Sequence, residues 1–289
     1  MNARLCPLED RGIVAVTGGD AATLLDGLVT NSLDRLAPGR AIHTGLLSPQ
    51  GKILFDFFVF PTADGFLIDI ARAAAPDLVK RLTFYRLRAD VAFENRSETL
   101  VVAALWPAPD RMPGGVIAAP DPRYPALGLR LILPPIRLAE IPGETVDAAT
   151  YEAHRIALGV PAAGRDYTIG DTFPHEALYD QMGSVDFRKG CFVGQEVVSR
   201  MQHRGTARKR AIRIAASLPV EPGTEIRAGD AAIGTVGSSA DGLAIALVRL
   251  DRAGEASAAG TALKAGAATV TIDLPEWVRL DPATGKARD

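Results

Sequence analysis

Apolar runs of strand length, separated by turn residues, dominate the first hundred positions of the chain. The segments 12–16, 52–60 and 66–70 are such runs, bounded by Gly, Pro and Asp. Pro49-Gln50-Gly51 is a turn sequence, and it predicts a hairpin between 44–48 and 52–60. The N-terminal part is therefore expected to be built on a sheet of paired strands.

Helical spacing of apolar residues interrupts these strands at three places. Asp20 stands where an N-cap is expected, ahead of Leu24, Leu25 and the following apolar positions of one helical face. The segments 75–86 and 146–158 have the same spacing. Gly159, directly after the third segment, suits the left-handed position that ends a helix. We therefore expect three helices in this part of the chain.

Other stretches carry weaker patterns. Further strands are expected at 88–93, 100–105 and 127–133. The segment 107–125 is rich in proline, which predicts a loop or a junction. The segment 164–186 has little periodicity, and so long an irregular stretch is more typical of a functional loop than of a linker.

After Arg210 the pattern changes to six short apolar segments separated by Gly, Pro and Asp, which predicts a small β-barrel or sandwich. The chain is therefore predicted to be an α+β protein, with a body at 1–208 and a β-module at 209–289. Within the body, a lobe at about 41–128 is expected to be inserted between 1–40 and 129–208. The six segments are 211–215, 224–227, 232–236, 243–249, 261–264 and 268–274.

Composition places the chain among ordinary globular proteins. It has 289 residues, 47% hydrophobic and 23% charged, which is long enough for more than one core. No apolar run approaches the roughly 18 residues of a membrane span, and the N-terminus carries acids instead of an apolar signal segment. Cys6 and Cys191 cannot form a disulfide framework. We expect a cytoplasmic protein, monomeric and without a membrane partner.

Charge is unevenly distributed. The whole chain carries a net charge of −2, which makes a nucleic-acid partner unlikely on general grounds. The run 188–210, however, holds seven Arg and Lys residues against the one acid Glu196. This run is consistent with an anionic ligand, with an RNA- or protein-binding module, or with a solvated linker.

The most informative stretch is Lys189-Gly190-Cys191-Phe192-Val193-Gly194-Gln195-Glu196. Its two glycines bracket the thiol, and apolar residues at helical spacing follow it. A thiol ahead of a helix N-terminus and beside Lys189 is expected to have a lowered pKa, because both favour thiolate. The same free N–H groups suit a carboxylate or phosphate. The alternative is that Cys191 is a buried, inert residue.

This stretch resembles the signature of the YgfZ family, whose mitochondrial relatives assist iron–sulfur assembly. Three further segments follow the family's order. Residues 18–31 resemble its Gly-x-Asp…Thr-Asn opening, residues 47–56 its Pro-x-Gly hairpin, and residues 85–91 its basic segment before a strand. The resemblance covers nearly the whole chain and is weakest over 100–135.

The resemblance implies a three-lobed body like the aminomethyltransferase T-protein, with a C-terminal β-barrel and a central tetrahydrofolate pocket. It implies a factor that supports assembly or repair of iron–sulfur clusters, with reduced folate and iron–sulfur enzymes or assembly proteins as partners. Asp56 is expected to face the pterin, and Arg200 or Arg204 the glutamate tail. The resemblance implies catalytic roles for Cys191 and Lys189, and cofactor-binding roles for Asn31, Asp56, Arg88, Arg155, Gly194, Gln195, Glu196, Arg200 and Arg204.

The sequence also departs from the family pattern. In the opening segment, Asp26 replaces the usual Gln and Ser32 the final Asp. T-proteins carry a paired Asp-Asp where this chain has Phe55-Asp56, and they carry Arg-x-Glu-Ala-Gly at 155–159, where Ala157 replaces the acid. These departures place aminomethyl transfer in doubt, and a folate-dependent one-carbon transferase remains the alternative. Whether the protein is an enzyme stays open.

Metal and nucleotide chemistry have little support. An iron–sulfur cluster needs about four ligands, mostly Cys, and two cysteines cannot supply them. We therefore expect no cluster bound to the isolated chain, and the four histidines show no metal-ligand spacing. Neither a phosphate-binding glycine loop nor a G-x-S-x-G elbow is present.

Overall fold

The computed structural model describes residues 2–109, 111–205 and 207–288. The chain groups into two compact units, each assembled from segments distant in sequence. Unit 1 comprises Met1–Pro49, Leu54–Tyr151 and Met182–Val193, and unit 2 comprises Gln50–Ile53, Glu152–Gln181 and Gly194–Asp289.

Unit 1 is built on two five-stranded sheets and two helices. One sheet has the order β10-β1-β7-β9-β8, and the other has the order β3-β4-β5-β2-β6. The helices are α1 (Ala21–Asp26) and α2 (Ala75–Arg86). The strands are β1 (Arg4–Pro7), β2 (Arg11–Thr17), β3 (Ile42–Leu47), β4 (Ile53–Thr62), β5 (Gly65–Ala71), β6 (Ala92–Asn95), β7 (Val101–Trp106), β8 (Ile117–Pro120), β9 (Leu129–Leu133) and β10 (Glu144–Thr145).

Successive side chains of β2 point to opposite faces of its sheet, so this strand contributes to two hydrophobic cores. Val14 and Val16 face the helices, where they share a core with Leu25 of α1 and Leu78 of α2. Side chains of the alternate positions point to the opposite face of the sheet. There they pack against the other sheet, in a core that contains Ile13, Ala15, Phe58, Phe60, Val102, Ala104, Trp106 and Ile132. The β2 strand is therefore buried on both faces.

A buried ion network crosses unit 1. Asp69 pairs with Arg11 at 2.6 Å and with Arg130 at 2.6 Å, and Asp121 pairs with Arg123 at 2.8 Å. Burial by itself would raise the pKa of Asp121, but the guanidinium groups of Arg123 and Arg130 outweigh it and hold that pKa at about 2. Asp121 therefore stays charged at neutral pH.

Unit 2 contains the six predicted C-terminal strands, which close into a barrel with the order β11-β14-β13-β12-β15-β16. The predictions of an α+β chain and of a C-terminal β-barrel are confirmed. The strands are β11 (Lys209–Ala216), β12 (Glu225–Ala228), β13 (Ala231–Ala240), β14 (Leu243–Arg249), β15 (Leu263–Ala265) and β16 (Ala268–Ile272). The remaining helices are α3 (Ala148–Ala157), α4 (Gln195–Arg204) and α5 (Leu250–Ala258).

Several local predictions differ from the structure. Asp20 is the N-cap residue of α1 as predicted, but its side chain makes no capping hydrogen bond, and its carboxylate accepts from the Asp90 N–H at 2.8 Å instead. The segment 88–93 begins as a turn, and β6 starts only at Ala92. The predicted loop 107–125 contains β8, and α5 was not predicted. Gly159 has a φ of 72°, as expected at a helix end. In the described part of the chain, no helix is long and apolar enough to cross a membrane.

Candidate functional site

Lys189 is the buried first residue of the stretch 189–196 that contains Cys191, which we call the thiol loop. Its side chain is only 3% exposed, and Nζ lies 3.2 Å from a carboxylate oxygen of Asp26. The ammonium donates to the backbone carbonyl oxygens of Asp26 at 2.6 Å, Val29 at 3.0 Å and Asn31 at 2.9 Å. An ammonium has three N–H donors, so these carbonyls account for all of them. Lys189 thereby ties the thiol loop to the segment that follows α1.

The expected catalytic role of Lys189 stays a prediction, and this geometry favours a structural role. Burial lowers the pKa of Lys189, and the nearby Asp26 carboxylate only partly offsets that effect. A lowered pKa alone would suit a base, but the nitrogen is engaged with three carbonyl oxygens. The contacts assign Lys189 a structural role that positions the loop.

Asn31 joins three segments of unit 1. Its amide nitrogen donates to the carbonyl oxygens of His43 at 3.0 Å and Gly183 at 2.8 Å, and its amide oxygen accepts from the Ser32 N–H at 3.0 Å. Its backbone N–H donates to Thr44 Oγ1 at 3.0 Å. Both amide hydrogens are used within the protein, so Asn31 shapes the site instead of offering donors to a ligand.

His43 lies at the centre of the same region. Its Nε2 is 2.9 Å from Asp56 Oδ2, its Nδ1 is 2.7 Å from Ser184 Oγ, and its ring lies 4.9 Å from the ring of Phe58. The sequence prediction missed His43 as a site residue. No sequence signal pointed to it, because its burial in β3 and its partners become visible only in the structure.

A cavity of about 370 Å³ opens beside this cluster. Arg35 reaches it while pairing with Asp186 at 2.9 Å, and Arg40 is an exposed cation at the same cavity. Two guanidinium groups beside an apolar wall are suited to a planar ligand that carries carboxylates. The lining residues are Asn31, Arg35, Arg40, Ala41, Ile42, His43, Pro120, Pro122, Met182 and Gly183.

The two cysteines have opposite environments. Cys191 is exposed, and Cys6 is fully buried in unit 1. The alternative of a buried, inert Cys191 is therefore wrong. Gly194 lies directly ahead of α4, as predicted, and takes a left-handed φ of 79°. The helix itself begins at Gln195.

Arg155 belongs to unit 2, where it is only 1% exposed. Its guanidinium donates to both carboxylate oxygens of Glu152, to Asp166 at 2.7 Å, to Ser238 at 2.7 Å and to the Val160 carbonyl oxygen at 2.5 Å. These bonds use all five donors of the guanidinium. The expected folate-binding role of Arg155 stays a prediction, and these contacts weigh against it because they leave no guanidinium donor for a ligand.

The other predicted folate contacts are surface residues. Arg88 is exposed in the turn after α2, and Arg204 is exposed on α4. Glu196 and Arg200 form an exposed i,i+4 pair on α4 at 2.6 Å. None of these side chains belongs to the cluster around His43 in the described contacts, so the expected glutamate-tail role of Arg200 and Arg204 remains a prediction.

The basic run 188–210 does not form one continuous cationic face. Lys189 is buried as described above, and Arg210 is buried in unit 2 against Asp180 at 2.7 Å. Arg200 is paired with Glu196, and Thr206 lies outside the described residues. Within the described residues, no group of three or more His, Cys, Asp or Glu side chains is arranged to hold a metal ion.

Two family matches cover different parts of the chain. Residues 2–108 match the family described as the GCVT N-terminal domain. Residues 208–280 match the family described as the CAF17 C-terminal beta-barrel domain, which corresponds to the closed barrel of unit 2.

Curated relatives extend this similarity. The human mitochondrial iron–sulfur cluster assembly factor IBA57 is 32% identical over 247 residues, which cover 76% of this chain and 69% of the relative. The IBA57 homologue of Mycosarcoma maydis is 33% identical, over 76% of this chain and 59% of the relative, and that of Coccidioides immitis is 30% identical, over 72% and 55%. The chain thus spans less than two thirds of these fungal relatives.

Among solved structures, the glycine cleavage system aminomethyltransferase T from Bartonella henselae is similar with a TM-score of 0.76. The match covers 99% of this chain and 88% of that structure, at 18% identity. The predicted aminomethyltransferase-like fold is thereby confirmed. At this identity the likeness establishes the fold and does not extend to chemistry.

Proposed function

The chain belongs to the family of the iron–sulfur cluster assembly factor IBA57, and on this premise we propose that it supports the assembly or repair of iron–sulfur clusters in client enzymes. Within this family we place it near YgfZ, because residues 189–196 follow the signature of that group. The cluster is cargo in this proposal. The exposed Cys191 thiol is the group offered to partners.

One observation carries the proposal. Three of the segments that resemble the family are distant in sequence but are linked through residues of unit 1: Lys189 of the thiol loop bonds the opening directly, and Asp56 of the hairpin is reached through His43. Lys189 of the loop holds the carbonyl of Asn31 in the opening, at 2.9 Å. His43 lies 2.9 Å from Asp56 in the hairpin and 2.7 Å from Ser184 ahead of the loop. Such convergence is typical of a functional site.

We propose a reduced folate as the ligand of this site. The cavity of about 370 Å³ lies within the roughly 300–1,000 Å³ of small-molecule pockets. Arg35 and Arg40 would bind carboxylates of the glutamate tail, since guanidinium groups bind carboxylates in a bidentate manner. Pro120 and Met182 offer apolar surface for the rings. When bound, a reduced folate would supply one-carbon groups carried on its pterin nitrogens.

The geometry favours folate binding over aminomethyl transfer. Phe55 occupies the position where T-proteins have a second carboxylate, so only Asp56 remains there. Arg155, which aligns with another T-protein motif, is saturated by protein acceptors. An RNA-binding function has less support, because Lys189 and Arg210 of the basic run are buried.

Titration calorimetry with tetrahydrofolate tests this proposal. We expect binding by the wild-type chain and weaker binding by Arg35→Ala, with Asp64→Asn as the matched control in an exposed turn of unit 1. Absence of heat up to about 1 mM, where binding is worth roughly 4 kcal/mol, would contradict the folate proposal. Equal affinity of Arg35→Ala and wild type would place the ligand elsewhere.

A further inference from the structure

The side chain of His43 bonds to both the hairpin carboxylate and the loop that precedes Lys189. It is 2% exposed, and Ser184 is completely buried. The side chain of Asp56 is only 10% exposed. The Ser184–His43–Asp56 chain therefore spans three distant segments inside unit 1, and its Ser184 hydroxyl is too buried to act as a nucleophile.

The chemistry of the two ends indicates which ring nitrogen donates to Asp56. An ionised carboxylate only accepts hydrogen bonds, so the proton that faces Asp56 must lie on His43 Nε2. In the neutral ring, Nδ1 is then an acceptor, and the Ser184 hydroxyl donates to it across 2.7 Å. Ser184 is itself held, because its carbonyl oxygen accepts from Thr30 Oγ1 at 2.8 Å.

We propose that His43 is a positioning residue, which orients the Asp56 carboxylate for the folate site. The inference rests on the proposed function, because it assigns Asp56 to the ligand. His43 is suited to this role since its ring also lines the 370 Å³ cavity. The charged groups around it are Asp56 itself, Arg35 and Arg40 at the cavity, and Arg123, which attracts the Asp56 carboxylate.

Nitrogen NMR of the imidazole rings tests the arrangement without any ligand. The chain has four histidines, so the His43 resonances are assigned by comparison with His43→Gln. We expect the ring to carry its proton on Nε2, facing Asp56, and to become a mixture of tautomers in Asp56→Ala, where the acceptor is gone. A ring protonated only at Nδ1, or a tautomer unchanged in Asp56→Ala, would overturn the proposal.

Tetrahydrofolate titration then tests the consequence for binding. We expect His43→Ala to weaken affinity about tenfold, the scale of a lost hydrogen bond to a charged group. His43→Gln retains a donor for Asp56 and should stay within about threefold of wild type. His203→Gln, an exposed position on α4, is the matched control and should bind normally.

The two failures are distinguishable. If the wild-type chain binds no tetrahydrofolate, the proposed folate site is wrong, and the tautomer spectrum still decides whether His43 holds Asp56. If the wild type binds and folded His43→Ala binds equally well, the positioning role is wrong while the folate site stands. Circular dichroism confirms that each variant is folded, and His43→Gln serves where His43→Ala does not fold.

Discussion

Unit 1 and unit 2 each bury a cation that the family resemblance singles out, but the two surroundings differ. Arg155 of unit 2 is closed in by Glu152, Asp166, Ser238 and a carbonyl oxygen, and Asp166 has no exposed side-chain surface. Lys189 of unit 1 is equally saturated. Its loop, however, continues within two residues to an exposed cysteine.

The difference shows that some residues of the family motifs serve folding, whereas others serve function. A cation whose donors are all used by the protein contributes to stability, whichever motif it belongs to. Function is to be sought in the groups that the saturated cations hold in place. In unit 1 these are the exposed Cys191 and the His43–Asp56 pair beside the cavity.

The largest expected effect is at Arg155. Arg155→Met leaves the Asp166 carboxylate buried without its cation, so we expect the free energy of unfolding to fall by about 3–5 kcal/mol. Urea unfolding measures this, with exposed Arg204→Met as the control. A folded, stable Arg155→Met chain that has lost tetrahydrofolate affinity would return Arg155 to the binding site and break the comparison.

The second largest loss of unfolding free energy is expected for substitution of Lys189. Lys189→Met removes the donor from three carbonyl oxygens, which should cost about 2–3 kcal/mol of unfolding free energy. Arg188→Met is the matched control, since that side chain is 89% exposed and should change stability by less than about 0.5 kcal/mol. Unchanged stability in Lys189→Met, together with lost function, would support a chemical role instead.

Acid titration extends the comparison to the buried network of unit 1. The pKa of Asp121 is about 2 in the folded chain, below its ordinary 3.8, so the unfolded chain takes up the proton first. This carboxylate therefore contributes about 2 kcal/mol above pH 4, which is lost as pH falls from about 4 to about 2. Urea unfolding at several pH values should show this slope. Asp121→Asn should flatten it, and an unchanged slope would contradict the assignment.

The smallest effect is expected on the surface of α4. Arg200→Ala breaks an exposed pair with Glu196, which is worth only about 0.3–0.5 kcal/mol. If the glutamate tail lies at Arg35, tetrahydrofolate affinity of Arg200→Ala should match wild type within about twofold. A loss of affinity larger than that of Arg35→Ala would restore the original assignment of the tail to Arg200.

Much of the fold could be predicted because its signals are local. The continuous apolar run of β2 and the helical spacing of α2 lie within single elements. The barrel strands were also predicted, since glycine and proline separate them. The helix α5 was missed although Leu250, Ala253 and Ala256 form its buried face, because small alanines give a weak apolar pattern. The strand β8 was hidden by the prolines around it.

The site was predicted less completely because its bonds are tertiary. The thiol loop and Asn31 were found from the resemblance, but the sequence does not state that Lys189 reaches back over more than 150 residues to the Asn31 carbonyl. His43 carried no motif, and only its partners Asp56 and Ser184 reveal its role. Arg155 resembled a ligand-binding residue in the sequence, but in the structure its guanidinium donates five hydrogen bonds within the protein.

The central claim is that the chain supports iron–sulfur enzymes through the thiol presented by unit 1. The most direct measurement is the activity of an iron–sulfur enzyme in a strain that lacks its own member of this family and expresses Cys191→Ser, with Cys6→Ala as the control for the buried cysteine. The account predicts that Cys191→Ser folds with wild-type stability but does not restore the enzyme. Full restoration by folded Cys191→Ser would contradict it.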